Sequence, residues 1–332
     1  MPKRSALCTT ALMCLSAISF PFLILATGGG HIIRADGSPG MTMILNLTGA
    51  VINTILDALF VLVFDWGMKG AAAATVIGQV VSAVLVILYI RKFKTVKLTA
   101  KHFIPQLKVV SRVCAIGMAS CFNQLAIAIV QVVLNNSLKH YGSLSVYGEK
   151  EPLAVAGIVM KVNMIVFSIV IGLAQGTQPI QSFNYGAKNY SRVKSSYKLA
   201  LGIAAVISVI AFIFFQLIPK QILGLFGDGT ETYFEFGSKF FRIFLFFTWL
   251  NCIQPISSTF FTSIGKPIKG VFLSLTRQII FFVPILLVLP KFMGIDGILY
   301  TGPICDLLSG IVALVMTIFE FRLMTDMSKN QR

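Results

Sequence analysis

An amide and a carboxylate lie four residues apart in the middle of an apolar run, Gly49-Ala50-Val51-Ile52-Asn53-Thr54-Ile55-Leu56-Asp57. That spacing places Asn53 and Asp57 on one face of a helix. A carboxylate is costly inside a membrane and is a functional candidate there by default. Asp57 could exchange a proton, or join the Asn53 amide oxygen as a ligand for Na⁺. The alternative is a helix-packing hydrogen bond near the interface. Lys161 is a cation well inside another apolar run, two residues before Asn163, and Arg277-Gln278 lies a third of the way into a further one. Each cation could line a water-filled cavity or extend its stem to the interface. Asp306 could line a cavity or end a helical turn. Amides recur at Gln131, Asn135, Gln175, Gln178 and Asn251. Amides and aromatics together suit a cavity for bulky organic molecules, although a single amide serves equally as an interhelical hydrogen bond. The candidates for a substrate cavity are Lys161, Asn163, Gln131, Gln178 and Arg277.

Other chemistries lack their residues. There is no GxxxxGK[ST], HExxH, GxSxG or GxGxxG, so neither ATP hydrolysis nor a common hydrolase or dinucleotide site is expected. The six cysteines include no CxxC and read as small apolar residues, and three scattered histidines make no metal motif. The chain is expected not to be an enzyme and to need no cofactor, with an ion gradient as its energy source.

The elements that must hold these residues are membrane helices. Of 332 residues, 56% are hydrophobic and 12% charged, and mean hydropathy is +0.84, whereas a soluble domain carries about 25% charged residues. Nine apolar runs approach the ~20 residues a bilayer requires: roughly 6–29, 42–64, 70–90, 113–138, 152–178, 199–218, 238–261, 270–290 and 297–320. Helices are expected because lipid leaves no partner for an open backbone. In a soluble chain the net charge of +16 would suggest nucleic acid. Here the basic residues crowd into alternate connectors, with Arg91 to Arg112 the richest, then Lys188 to Lys198, Lys266 and Lys269, and the residues after the last span. These mark the cytoplasmic side, and the C-terminus is inside. Lys3 and Arg4, before the first span, would also prefer the cytoplasm, which an odd number of spans does not allow.

An internal repeat organises the chain. Gly37-Ser38-Pro39 returns as Gly265-Lys266-Pro267, an offset of 228, and Gly67-Met68-Lys69-Gly70 returns as Gly294-Ile295-Asp296-Gly297, an offset of 227. Six spans lie between the copies, an even number, so both share one orientation. The expected layout is a partial N-terminal lobe of three helices (1–92), a basic cytoplasmic linker (93–112), a six-helix C-terminal lobe (113–320) and a cytoplasmic tail (321–332). The same offset places the start of a complete first lobe about 120 residues before Met1. The reading is therefore an N-terminally shortened form of a twelve-span protein.

Arg34-Ala35-Asp36-Gly37-Ser38-Pro39, Asn53-x-x-x-Asp57, Gly67-Met68-Lys69-Gly70-Ala71-Ala72-Ala73-Ala74-Thr75, Gly176-Thr177-Gln178-Pro179 and Asn184-Tyr185-Gly186-Ala187 resemble the multidrug and toxic compound extrusion (MATE) family, in a bacterial multidrug-exporter branch. The resemblance runs from about residue 30 to 320. It implies an all-α polytopic membrane protein, a two-lobed bundle with about nine of twelve helices present and a V-shaped cavity. It also implies export of amphipathic or cationic drugs in exchange for H⁺ or Na⁺, by a monomer in the bacterial cytoplasmic membrane, with the lipid bilayer and small molecules as partners and no nucleic acid. Asn53, Asp57 and Thr75 match positions at which some prokaryotic members couple transport to a cation. Two departures stand out: the family's first helix often supplies an acidic partner that is missing here, and Gly28-Gly29-Gly30 replaces a region where relatives tend to carry Asn. Two alternatives are a flippase for lipid-linked sugars and a remnant that transports nothing.

Overall fold

The computed structural model describes residues 2–91, 93, 106–227 and 229–329, with side chains from Ala17 onward apart from those at 112, 115, 116, 119 and 120. Most of the basic linker, including Lys94, Lys97 and Lys101, lies outside the described residues. Among the described residues there are helices and turns and no strand. The chain divides into two compact units, Met1–Gln106 and Leu107–Arg332. Among the described residues eight helices are long and apolar enough to cross a membrane, or nine if a bent pair counts as one span.

The described residues of the first unit form three helices, α1 (Pro2–Ala35), α2 (Pro39–Ala58, continued by the π-helical turn Leu59–Val63) and α3 (Gly67–Ile90). Ile33, Leu45, Val86 and Tyr89 form its core. With no hydrophobic drive between helices in lipid, close backbone approach at small residues holds such a bundle. A Cβ on Gly78 would sit 2.8 Å from the Gly49 carbonyl oxygen, and one on Gly29 would sit 2.2 Å from Val86 Cγ1. These glycines are where α2 and α1 press on α3.

The second unit opens with α4 (Leu107–Ser143), α5 (Lys150–Gly186) and α6 (Tyr190–Leu217), followed by the short α7 (Pro219–Gly224). The single span expected over 238–261 is broken. Helix α8 (Glu231–Phe244) and the following α9 (Thr248–Asn251) and α10 (Ile253–Ser263) bend by 48° about the residues after Phe244. A second interruption at Cys252 has a local cause: Pro255 lacks an N–H and clashes with the carbonyl four residues back, that of Asn251, where α9 stops. The unit closes with α11 (Pro267–Leu275), a π-helical segment Thr276–Phe282, α12 (Val283–Met293) and α13 (Ile295–Lys329). Pro284 opens α12 directly after the π segment, whereas α5 runs through Pro179 unbroken. The core is strongly aromatic, with Phe236, Phe240, Phe241, Phe260 and Phe261 fully buried. Cys252 and Cys305 are buried as expected, but Cys114 and Cys121 are exposed.

The sequence repeat is a repeat of backbone geometry. Gly37 has φ +78° and Gly265 φ +76°; Gly67 has φ +53° and Gly294 φ +60°. Between glycine and proline, Ser38 takes φ −119°, ψ 60° and Lys266 takes φ −115°, ψ 56°. The turn hydrogen bonds also correspond: Gly37 N–H donates to Arg34 O and Gly265 N–H to Thr262 O, at 3.1 and 3.2 Å. Glycine supplies the positive φ and proline starts the next helix with φ already set. Each turn is then tied to the far end of the third helix of its copy. In the first copy the Tyr89 hydroxyl donates to Asp36 Oδ2 at 3.0 Å, both residues being buried. In the second, the fully buried Glu320 carboxylate accepts from Lys266 and, at 2.9 Å, from Lys269.

A further tie exists only in the second copy. Arg277, on the π segment, donates from Nε (3.0 Å) and Nη2 (2.8 Å) to Asp306 Oδ1 on α13. Both side chains are largely buried, 17% and 4% exposed. Removing one partner of such a pair strands a charge, whereas replacing both with apolar groups is close to neutral. Arg277→Met is therefore expected to destabilise the protein by about 3–5 kcal/mol, and Arg277→Met/Asp306→Leu by clearly less. Thermal unfolding of the purified variants measures both. In the first unit Gly78→Val is expected to cost about 1–3 kcal/mol by overpacking against Gly49. Gly172→Ala, where nothing lies within 4 Å of the added Cβ, is expected to cost nothing.

Candidate functional site

The residue types suited to holding a cation meet in the first unit. Helix α2 presents Asn46 and Asn53, two turns apart, and α3 presents Thr75, Gln79 and Ser82 at i, i+4 and i+7. With Thr27 of α1 they line a cleft of about 230 Å³. Asn53 Nδ2 donates to Thr75 Oγ1 at 3.3 Å, and the Thr75 hydroxyl donates to Ala71 O at 3.0 Å. Thus the Asn53–Thr75 pair, on separate helices, is brought together by the close Gly49–Gly78 crossing one turn away. Asp57 does not line the cleft. It lies one turn beyond Asn53 on α2, half-buried, and its Oδ1 is buried without a hydrogen-bond partner. Gln79 Oε1 is buried and unpartnered as well. A buried acceptor with no donor is unfavourable by about 1–3 kcal/mol, and either a proton or a cation would relieve it.

The second copy fills the corresponding space with its own charge. At the repeat offsets Gly49 corresponds to Arg277, Gln79 to Asp306 and Ser82 to Ser309. Where α2 has no side chain and leaves a cleft, the π segment projects a guanidinium onto the carboxylate of α13. The same helix–helix seam is open and oxygen-lined in one unit and closed by a tethered cation in the other.

The substrate-cavity candidates are dispersed. Lys161 is exposed on α5, and Asn163 and Gln178 are half-buried on the same helix. Gln131 is exposed on α4 and donates from Nε2 to Asn135 Oδ1 at 3.3 Å. Arg277 is neutralised by Asp306. Two second-unit cavities of about 850 and 440 Å³, on α8 and α13, are lined by none of the five. Sequence reasoning missed Gln79, Ser82, Asn46 and Thr27, although Thr75, Gln79 and Ser82 carry a helical period through an otherwise apolar run. No group of three or more His, Cys, Asp or Glu able to hold a metal exists among the described residues.

The chain is similar in sequence to proteins named as multidrug exporters and in fold to solved transporters. The chain is 26% identical over 314 residues to a protein named multidrug export protein MepA from Staphylococcus aureus, spanning 94% of this chain and 67% of that one. It is 23% identical over 320 residues to the Staphylococcus saprophyticus protein of the same name, spanning 96% and 69%. Its fold matches that of a MOP superfamily transporter from Pyrococcus furiosus, with a TM-score of 0.85 at 20% identity over 95% of this chain and 70% of the other. It also matches a MATE structure in the bent conformation, with a TM-score of 0.83 at 21% identity over 96% and 70%. The MatE family model matches residues 119–287, and the chain belongs to the MatE family.

Proposed function

We propose that this chain is a secondary active multidrug transporter of a bacterial cytoplasmic membrane, exporting amphipathic or cationic compounds in exchange for H⁺ or Na⁺. The names of the staphylococcal relatives support the cargo. The coupling step rests on one observation: a polar cleft in the first unit, flanked by an unpartnered Asp57 oxygen, occupies the seam that Arg277–Asp306 closes in the second. In this reading Asp57 is the group that takes up and gives off the coupling cation. Asn53 and Thr75 fix its neighbourhood and offer oxygens to Na⁺, or hold the helix faces together while a proton is carried. The C-terminus is cytoplasmic, at the end where Lys266 and Lys269 meet Glu320 near the close of α13. A lipid-linked sugar as cargo would call for free cationic side chains in the cavity, and Arg277 is not free.

Ethidium efflux from drug-sensitive bacteria tests the coupling residue. Asp57→Asn is expected to lower gradient-driven efflux about tenfold or more at unchanged membrane abundance, with Asn53→Ala and Thr75→Ala lowering it less. Efflux by Asp57→Asn that still collapses with the ion gradient at the wild-type rate would exclude this role.

A further inference from the structure

One face of α8 carries a graded series that the export reading does not use. Glu231, Glu235, Ser238 and Arg242 follow one another at i, i+4, i+7 and i+11 and line the cavity of about 850 Å³ together with Lys220 of α7. Arg242 is also the rim of the next cavity, about 440 Å³, whose walls are almost wholly apolar and include Phe246, Pro303, Ile304 and Leu307. Charge therefore gives way to hydrocarbon from one cavity to the next, with Arg242 and Ile243 lining both.

The ion pair of Lys239 with Asp296, at 2.7 Å, fixes the depth of that boundary. Asp296 opens α13 at the Gly294–Gly297 turn, so this pair sits at the end of the spanning helices. Arg242 lies three residues further in, roughly 4.5 Å along the axis, and Leu307 eleven residues beyond Asp296, roughly 16 Å. Glu235 lies about 10 Å outward of Arg242 on the same face. The Glu235 carboxylate lies close enough to the Tyr147 hydroxyl, from the α4–α5 turn, to disfavour ionisation of that phenol. A basic group at the mouth of an apolar slot, with carboxylates further out, has the order of charges that complements a phospholipid bearing an amine: acyl chain, phosphate, ammonium.

We propose that these two cavities form a binding site for a zwitterionic aminophospholipid. Arg242, aided by Lys220, holds the phosphate through charge-assisted hydrogen bonds. Glu235 and Glu231 accept the primary ammonium, and one acyl chain lies along Phe246, Pro303, Ile304 and Leu307. A cationic drug is disfavoured as occupant because its charge would meet Arg242 at the slot's mouth. An acidic lipid without an amine would leave the carboxylates facing a net negative headgroup.

Native mass spectrometry of the full chain, titrated separately with phosphatidylethanolamine, phosphatidylcholine and phosphatidylglycerol of identical acyl chains, tests the site without requiring transport. Retention of phosphatidylethanolamine is expected to exceed that of the other two about fivefold. Arg242→Ala is expected to weaken it about tenfold; the side chain is exposed and only its backbone carbonyl serves the fold, accepting from Gln216. Glu231→Gln/Glu235→Gln is expected to bring phosphatidylethanolamine down to the level of phosphatidylcholine, and this variant decides the matter should Arg242→Ala misfold. Equal retention of all three lipids, a preference for phosphatidylglycerol, or unchanged preference in the variants would overturn the proposal.

Discussion

Hydrocarbon offers no hydrogen-bond partner, so every polar group that these helices carry into a membrane must be satisfied within the protein. Most are satisfied locally. The hydroxyls of Thr48, Thr54, Ser168 and Thr301 each donate to the carbonyl four residues back. Others are satisfied across helices, as when Thr42 donates to Gly30 O or Tyr197 shares a hydrogen bond with Ser257. The buried carboxylates in the second unit's repeat are paired, Glu320 with two lysines and Asp306 with Arg277. Against that background the unpartnered oxygens of Gln79, in the cleft between α2 and α3, and of Asp57, one turn beyond Asn53 on α2, stand out as the polar atoms of the first unit that its own helices leave unsatisfied.

The repeat makes the contrast informative. Its two copies share the turn dihedrals to within a few degrees at Gly37 and Gly265 and at Ser38 and Lys266. The scaffold is the same; the chemistry placed on it is not. A tyrosine–carboxylate bond closes the turn in one copy and a carboxylate between two lysines in the other. A glycine–glycine crossing beside an open cleft in one becomes an arginine–aspartate pair in the other. In the proposed reading two lobes of common geometry divide their work, one exchanging a cation while the other keeps its seam fixed.

Much of this was legible in the sequence, for identifiable reasons. Gly-x-Pro and Gly-x-x-Gly are strong punctuation, because positive φ and a preset helix start leave few other residues able to do the work. They fixed the repeat and hence the helix order. Apolar length gave nine spans, but not the bend after Phe244, since Leu245, Phe246 and Phe247 are as apolar as the helix they interrupt. The π segment at Thr276–Phe282 likewise has no compositional mark. Asn53 and Asp57 could be seen as a pair because they share a helix. Arg277 and Asp306 could not, because 29 residues and a turn separate them, and each read alone looked like a candidate for a cavity. Gln79 escaped notice for the same reason: an amide in an apolar run gains meaning only when the opposite helix is in place.

The central claim is that cation exchange belongs to Asp57 and its cleft, while the Arg277–Asp306 pair is a structural lock. Ion movement measured in proteoliposomes on addition of a cationic drug, with a pH-sensitive dye for H⁺ and radioactive sodium for Na⁺, tests this most directly. Drug-driven counterflow of one of these ions is expected in the unaltered chain and in Arg277→Met/Asp306→Leu, and is expected to vanish in Asp57→Asn. Counterflow that persists in Asp57→Asn, or that disappears in the folded double variant, would contradict the account.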